Sequence, residues 1–198
     1  MRTVSIVGAR PQFIKLAPVS RAMQQAAGGG IDDVIIHTGQ HYDDAMSRIF
    51  FDELEIPKPD MDLAVGSGAH GAQTAKMLQL IEEALLDLKP DWVITYGDTN
   101  STAAGSLAAA KLNIPIAHIE AGLRSFNREM PEEVNRIVTD ALSDLLLVSD
   151  PSGLEHLAQE NLPNAGVHLV GNVMIDVVHE YLAEAQSRKV REQWQLDE

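Results

Sequence analysis

The sequence predicts an α/β fold, a doubly wound, Rossmann-like parallel sheet of six or seven strands. Three observations carry that reading. Short apolar runs alternate with helix-length amphipathic segments along the whole chain, the pattern of βαβ units. The runs are apolar on successive residues rather than on every second one, as when helices cover both faces of a sheet. The chain has 198 residues, 45% of them apolar and 22% charged, which suits one packed domain and is short for two.

Each element has its own warrant. TVSIVG (3–8) is a strand and QFIKLAPVSRAMQQA (12–26) the helix after it. AAGGGIDD (26–33) is the turn between that helix and the strand DVIIHTG (33–39). DDAMSRIFFDEL (43–54) follows as a helix. Residues 71–88 form a strongly amphipathic helix, with Met77, Leu80, Ile81, Ala84 and Leu85 on one face. DWVITYGD (91–98), IPIAHIE (114–120), DLLLVSD (144–150) and VHLVGN (167–172) are the remaining strands. The helices 101–112, 131–142 and 151–162 lie between them, and a long helix ends the chain.

Composition excludes several classes. The formal charge is 15 − 29 = −14, which leaves no basic footprint for nucleic acid. No apolar run approaches the ~18 residues of a membrane span, and the N-terminus lacks the apolar core of a signal peptide. A soluble, cytoplasmic protein is expected. With no cysteine, disulfides, thiolate metal sites and a cysteine nucleophile are ruled out. No histidine spacing supports a metal. Neither GxGxxG nor a Walker motif is present, so nothing calls for a nicotinamide or ATP.

Ligands of such sheets bind beyond the carboxyl ends of the strands, so the strand tips carry the functional reading. GARPQFIK places Arg10 and Lys15 at the start of the first helix. With the free amides there they form an anion site, or they are incidental basic residues on a surface helix. Asp98 ends the 91–98 strand and is either a functional carboxylate or a cap of the next helix. Glu120 ends a buried apolar run one βαβ step later, at the same rim, and either works there or pairs with Arg124. Glu132, behind Pro131, either faces the pocket or serves the helix dipole. Glu132, Asn135, Arg136 and Thr139 form a polar stripe facing a pocket, while Val134, Ile137, Val138 and Ala141 pack on the sheet. Gln40 and His41 stand at the second strand tip. His118, inside a strand, reads as a core residue or one behind the site.

GARPQFIK, TGQH, YGDTNST, HIEAGLR, MPEEVNR and VGNVMID occur in this order from residue 8 to residue 176. Together they resemble the non-hydrolysing UDP-N-acetylglucosamine 2-epimerases, including relatives that act on UDP-2,3-diacetamido-sugar uronates. The stretch RSFNREMPEE is nearer to the latter. The resemblance implies the N-terminal half of a two-domain GT-B enzyme. Residues 1–175 would be the Rossmann-like domain and 176–198 the terminal helix approaching the hinge. The second half would supply most of the nucleotide grip and a catalytic histidine.

Carried over residue by residue, the resemblance implies Asp98, Glu120 and Glu132 as catalytic carboxylates. Arg10 and Lys15 would bind nucleotide phosphates and sugar. Gln40 and His41 match a neighbourhood linked to an activating second UDP-sugar, and Arg124 and Arg136 line the substrate side. It implies UDP and a UDP-sugar as ligands, no cofactor, no metal, and a homodimer for which the 71–88 helix is the candidate surface. The implied reaction eliminates UDP across C1–C2 and adds it back with the C2 proton on the other face. A non-catalytic sugar-nucleotide-binding or dimerising half, a hydrolysing relative and a GT-B glycosyltransferase are the competing readings. A transferase would not need three clustered carboxylates.

Overall fold

Seven parallel strands form one sheet in the order β3-β2-β1-β4-β5-β6-β7. In chain order the elements are β1 (Arg2–Val7), α1 (Arg10–Gln25), β2 (Asp32–His37), β3 (Met61–Asp62), α2 (His70–Leu88), β4 (Trp92–Tyr96) and α3 (Asn100–Lys111). They continue with β5 (Ile116–Ala121), α4 (Pro131–Leu142), β6 (Leu145–Val148), α5 (Pro151–Glu160), β7 (Gly166–Leu169) and α6 (Val173–Ser187). This computed structural model describes residues 1–26, 30–40, 53–162, 165–188, 192 and 194. The six expected strands are all present. The seventh, β3, has two residues, too few for any periodic signal. The helix expected over 43–54 falls almost wholly outside the described residues.

The strand order reverses between β1 and β4, which makes their carboxyl ends the switch point of the sheet. One core layer joins Val4, Ile6, Ile36, Val93 and Ile116 to Met77, Ile81 and Leu85 of α2 and to Ala104, Ala108 and Ala109 of α3. The opposite layer joins Val7, Ile35, Ile94, Tyr96, Ala117 and Ile119 to Phe13, Leu16 and Ala17 of α1. Each large apolar side chain taken fully out of water is worth about 1.5–3 kcal/mol. The small residues of α3 bring it close to the sheet: a Cβ on Gly105 would lie 2.8 Å from Ile6 Cδ1.

Two expectations about helix faces change. Met77, Ile81, Ala84 and Leu85 of α2 are buried in this chain's own core, so that face is not available to a second subunit. On α4 the apolar stripe does not pack on the sheet. Val134 and Val138 are 38% and 37% exposed, while Glu133, Thr139 and Asp140 are buried. The cause is what α4 meets: polar strand tips that need hydrogen-bonding side chains. α6 docks on α1 through buried Val177, an Arg21–Glu180 ion pair and the Tyr181 ring, 5.9 Å from the Arg21 guanidinium carbon.

No helix among the described residues is long and apolar enough to cross a membrane.

Candidate active site

The loop after β1 is shaped by close approach. A Cβ on Gly8 would lie 1.9 Å from Thr38 Oγ1 and 2.4 Å from Ser101 Oγ. The amides of Gly8 and Ala9 donate to Gln12 Oε1 at 2.8 and 3.0 Å. Those two amides therefore do not serve an anion, contrary to the expectation from GARPQFIK. Gln12 Nε2 donates to Tyr96 O (2.9 Å) and Thr102 Oγ1 (3.0 Å), tying the β1 loop to the β4 tip. Glutamine at the third helical position is the reach-back half of a capping box, a signal present in the sequence. Arg10 opens α1 and is exposed, while Lys15 is buried.

At the tip of β4, Asp98 is not the cap of α3. Thr99 is, its side chain accepting from the Thr102 amide. Asp98 Oδ2 instead accepts from Arg136 at 2.5 Å, and its carbonyl accepts from Asn135 Nδ2 at 2.9 Å. Arg136 also donates to Glu133 Oε2 at 3.0 Å. Burial alone would lower the Arg136 guanidinium, but Asp98 and Glu133 outweigh it and raise it.

The tip of β5 breaks the alternation of the sheet. His118 faces the α3–α4 side, while Ala117 and Ile119 face α1, so a regular strand would send Glu120 away from α1. The pairing with β6 slips between Ile119 and Ala121, and Glu120 has φ +74°. This one-residue bulge turns Glu120 to the α1 side, where Oε2 lies 2.5 Å from Lys15 Nζ. The side chains are 16% and 7% exposed. A left-handed φ at a non-glycine residue costs about 1–2 kcal/mol, and such strain concentrates at functional sites. Gly97 borders the pair: with φ +63°, its Cβ would lie 3.1 Å from Lys15 Nζ and 3.2 Å from Glu120 Oε2.

Arg124 is not the partner of Glu120. Its side chain is 2% exposed and holds Glu160 through two 2.7 Å bonds and Asp140 Oδ2 at 2.7 Å. It braces the loop after β5 from within and does not line the rim. Asp140 also accepts from the Gly122 amide (3.1 Å) and contacts His118 Nδ1 (2.6 Å).

Of the two adjacent acids in α4, Glu133 turns inward and accepts from the Ser125 and Phe126 amides at 2.9 Å, fixing the return of the loop. Burial would raise its carboxyl, but those amides and Arg136 hold it below the usual carboxylate range. Glu132 is exposed and makes no hydrogen bond or ion pair among the described residues. The spacing Glu133, Arg136, Asp140 on one helix face was the sequence signal for the inward set.

Gln40 Oε1 accepts from the Ser101 amide (3.1 Å) and hydroxyl (2.7 Å) at the start of α3. Asn100 Nδ2 contacts Gln73 Oε1 (2.8 Å) and His70 Nδ1 (3.1 Å). His41 lies outside the described residues. Among those residues no group of three His, Cys, Asp or Glu side chains is placed to hold a metal ion. The structure thus brings Asp98, Glu120, Lys15 and Arg136 to the carboxyl ends of β4 and β5, with Arg10 at the neighbouring tip. This is one rim with paired acids and cations, suited to proton transfer beside an anionic leaving group.

A sequence profile described as UDP-N-acetylglucosamine 2-epimerase matches residues 22–197. The chain is 57% identical over 176 residues to a UDP-N-acetylglucosamine 2-epimerase homolog of Methanococcus maripaludis, covering 89% of this chain and 48% of that protein. It is 51% identical over 178 residues to the UDP-2,3-diacetamido-2,3-dideoxy-D-glucuronate 2-epimerase of Pseudomonas aeruginosa, covering 89% and 50%. The crystal structure of Methanocaldococcus jannaschii UDP-GlcNAc 2-epimerase in complex with UDP-GlcNAc and UDP superposes with a TM-score of 0.92. Identity there is 44%, covering 98% of this chain and 53% of that one. The chain spans about half the length of the curated relatives it matches.

Proposed function

Because the chain belongs to the UDP-N-acetylglucosamine 2-epimerase family, we propose that it is the carboxylate-bearing N-terminal half of a two-domain GT-B enzyme that interconverts UDP-N-acetylglucosamine and UDP-N-acetylmannosamine. The observation that carries this reading is the Glu120 bulge, which turns a carboxylate out of the strand alternation and onto Lys15 at the rim. A strained carboxylate beside a cation and a second acid-bearing strand tip has little structural purpose and a clear chemical one.

The C2 hydrogen of the sugar is not next to a carbonyl, so it leaves by elimination. A base takes the C2 proton, the electron pair forms the C1–C2 double bond, and the C1–O bond breaks with its pair on UDP. The reverse addition protonates C2 on the other face while the UDP oxygen re-forms the bond to C1. Two faces need more than one proton-transfer group, and Asp98 and Glu120 supply them. Glu132, exposed on the first turn of α4, is the third carboxylate. Arg10 and Lys15 favour the anionic leaving group, Lys15 also orienting Glu120. Arg136 orients Asp98. Gln40 and His41 would bind the UDP-sugar. Arg124 acts through Asp140 and Glu160 rather than on substrate.

The same geometry serves the 2-epimerisation of a UDP-2,3-diacetamido uronate, a reading favoured by the 51% identity to the Pseudomonas aeruginosa relative. The enzyme would work in the cytoplasm, supplying sugars for surface polysaccharide. A homodimer would use the exposed Val134, Val138 and Ala141 on α4. By itself the chain would bind or dimerise without turnover.

Product analysis tests the reading. The chain joined to the second half that its relatives carry is incubated with each UDP-sugar. An inverted nucleotide sugar supports the proposal and identifies the substrate. Free sugar plus UDP indicates a hydrolase, and no conversion of either substrate by the folded protein refutes it.

A further inference from the structure

A buried histidine, His118, lies behind the rim. We propose that His118 is a doubly protonated imidazole that fixes the two carboxylate-bearing strand tips relative to each other, a positioning residue for the reaction proposed above and dependent on that reading for its catalytic meaning. The ring is fully buried in β5. Nε2 lies 2.7 Å from the Gly97 carbonyl and Nδ1 2.6 Å from Asp140 Oδ1. Carbonyls and carboxylates only accept, and a neutral imidazole carries one N–H. A neutral ring would set two lone pairs against each other inside the protein.

Asp140 does not resolve that conflict by carrying the proton itself. Its other oxygen accepts from Arg124 and the Gly122 amide. Burial would raise its carboxyl, but the Arg124 charge and the Gly122 amide favour the ionised form. Both ring nitrogens therefore donate. The groups that surround the ring balance its charge. Asp140 lies on α4, Arg124 on the loop after β5 with Glu160 of α5 behind it, and Lys15 and Glu120 across Gly97.

The consequence is geometric. Gly97 precedes Asp98, and its amide donates to the Ile119 carbonyl, next to Glu120, at 2.9 Å. Its carbonyl is held by His118, which through Asp140 holds Gly122, two residues past Glu120. The ring thus closes a clamp across the β4 and β5 tips. It touches no substrate position; it acts through the two acids.

Nitrogen-resolved NMR of the 15N-histidine-labelled chain tests this directly. At neutral pH both His118 nitrogens are expected to show a directly bonded proton. One bare nitrogen overturns the proposal, and this test needs no variant to fold. In the chain joined to its relatives' second half, His118→Gln and Asp140→Asn are expected to lower kcat for C2 deuterium exchange by about 10²-fold, the scale of a 1 Å misplacement. KM should be unchanged. Wild-type exchange with kcat retained in both folded variants overturns the positioning role. No exchange in the wild type sinks the epimerase reading alone, and the spectrum then decides the clamp.

Discussion

Replacing Lys15 by methionine removes the cation from Glu120 and keeps the volume of the stem. Both partners are largely buried, at 7% and 16% side-chain exposure. Breaking a buried pair by deleting one partner costs about 3–5 kcal/mol, because the other charge stays uncompensated. An exposed pair is worth about 0–1 kcal/mol. Glu120 stands at the rim, so the lower end applies, about 3 kcal/mol. Glu120→Gln removes the stranded charge, so the double variant should lose only about 1 kcal/mol, about 2 kcal/mol less than Lys15→Met alone. Urea unfolding reads this as a midpoint shift of ~1 M for Lys15→Met at unchanged m. A Lys15→Met cost below ~1 kcal/mol, with no coupling to Glu120→Gln, would refute the account of the bulge as a device that delivers Glu120 to Lys15.

Gly97→Ala forces a side chain onto φ +63° and against Lys15 and Glu120. The strain of about 1–2 kcal/mol should lower the calorimetric midpoint by about 5 °C. Asp140 and Glu133 are held below their ordinary values of 3.8 and 4.5. Their stabilisation is therefore complete above those values and lost as pH falls through the lowered ones. Asp140→Asn and Glu133→Gln should each flatten the acid limb of stability against pH, measured by urea midpoints. Arg124→Gln leaves Glu160 without its cation and Asp140 with His118 alone, so stability should drop by about 3 kcal/mol. UDP affinity of the folded fraction, measured by calorimetry, should not change.

The layout of the fold was legible because burial writes itself into runs and periods. β4, β5 and β6 are apolar on both faces apart from Thr95, His118 and Glu120, as suits strands covered on both sides, and their positions followed. β3 was not legible, since two residues carry no period. α4 misled because its pattern is amphipathic in the ordinary sense, yet its inner face meets Asp98, His118 and a loop of free amides. The identity of neighbours, not periodicity, decided which face turned in. At the candidate site, Asp98 and Glu120 stood out because a charged residue ending an apolar run is conspicuous. Their partners were not: Lys15 is 105 residues from Glu120 and Arg136 38 from Asp98, and spacing says nothing of such pairs. The bulge at Glu120 was also invisible, since HIEAG reads as an unbroken strand end.

The most direct test is solvent deuterium incorporation at C2 of the UDP-sugar, in the chain joined to its relatives' second half. Wild type, Glu120→Gln and Asp98→Asn would run side by side. The account predicts C2 deuterium with wild type and a loss of at least about 10²-fold in each variant, the scale of a lost acid–base group. Undiminished exchange in the folded Glu120→Gln protein would contradict it, because the carboxylate that the sheet is bent to deliver would then have no part in the proton transfer.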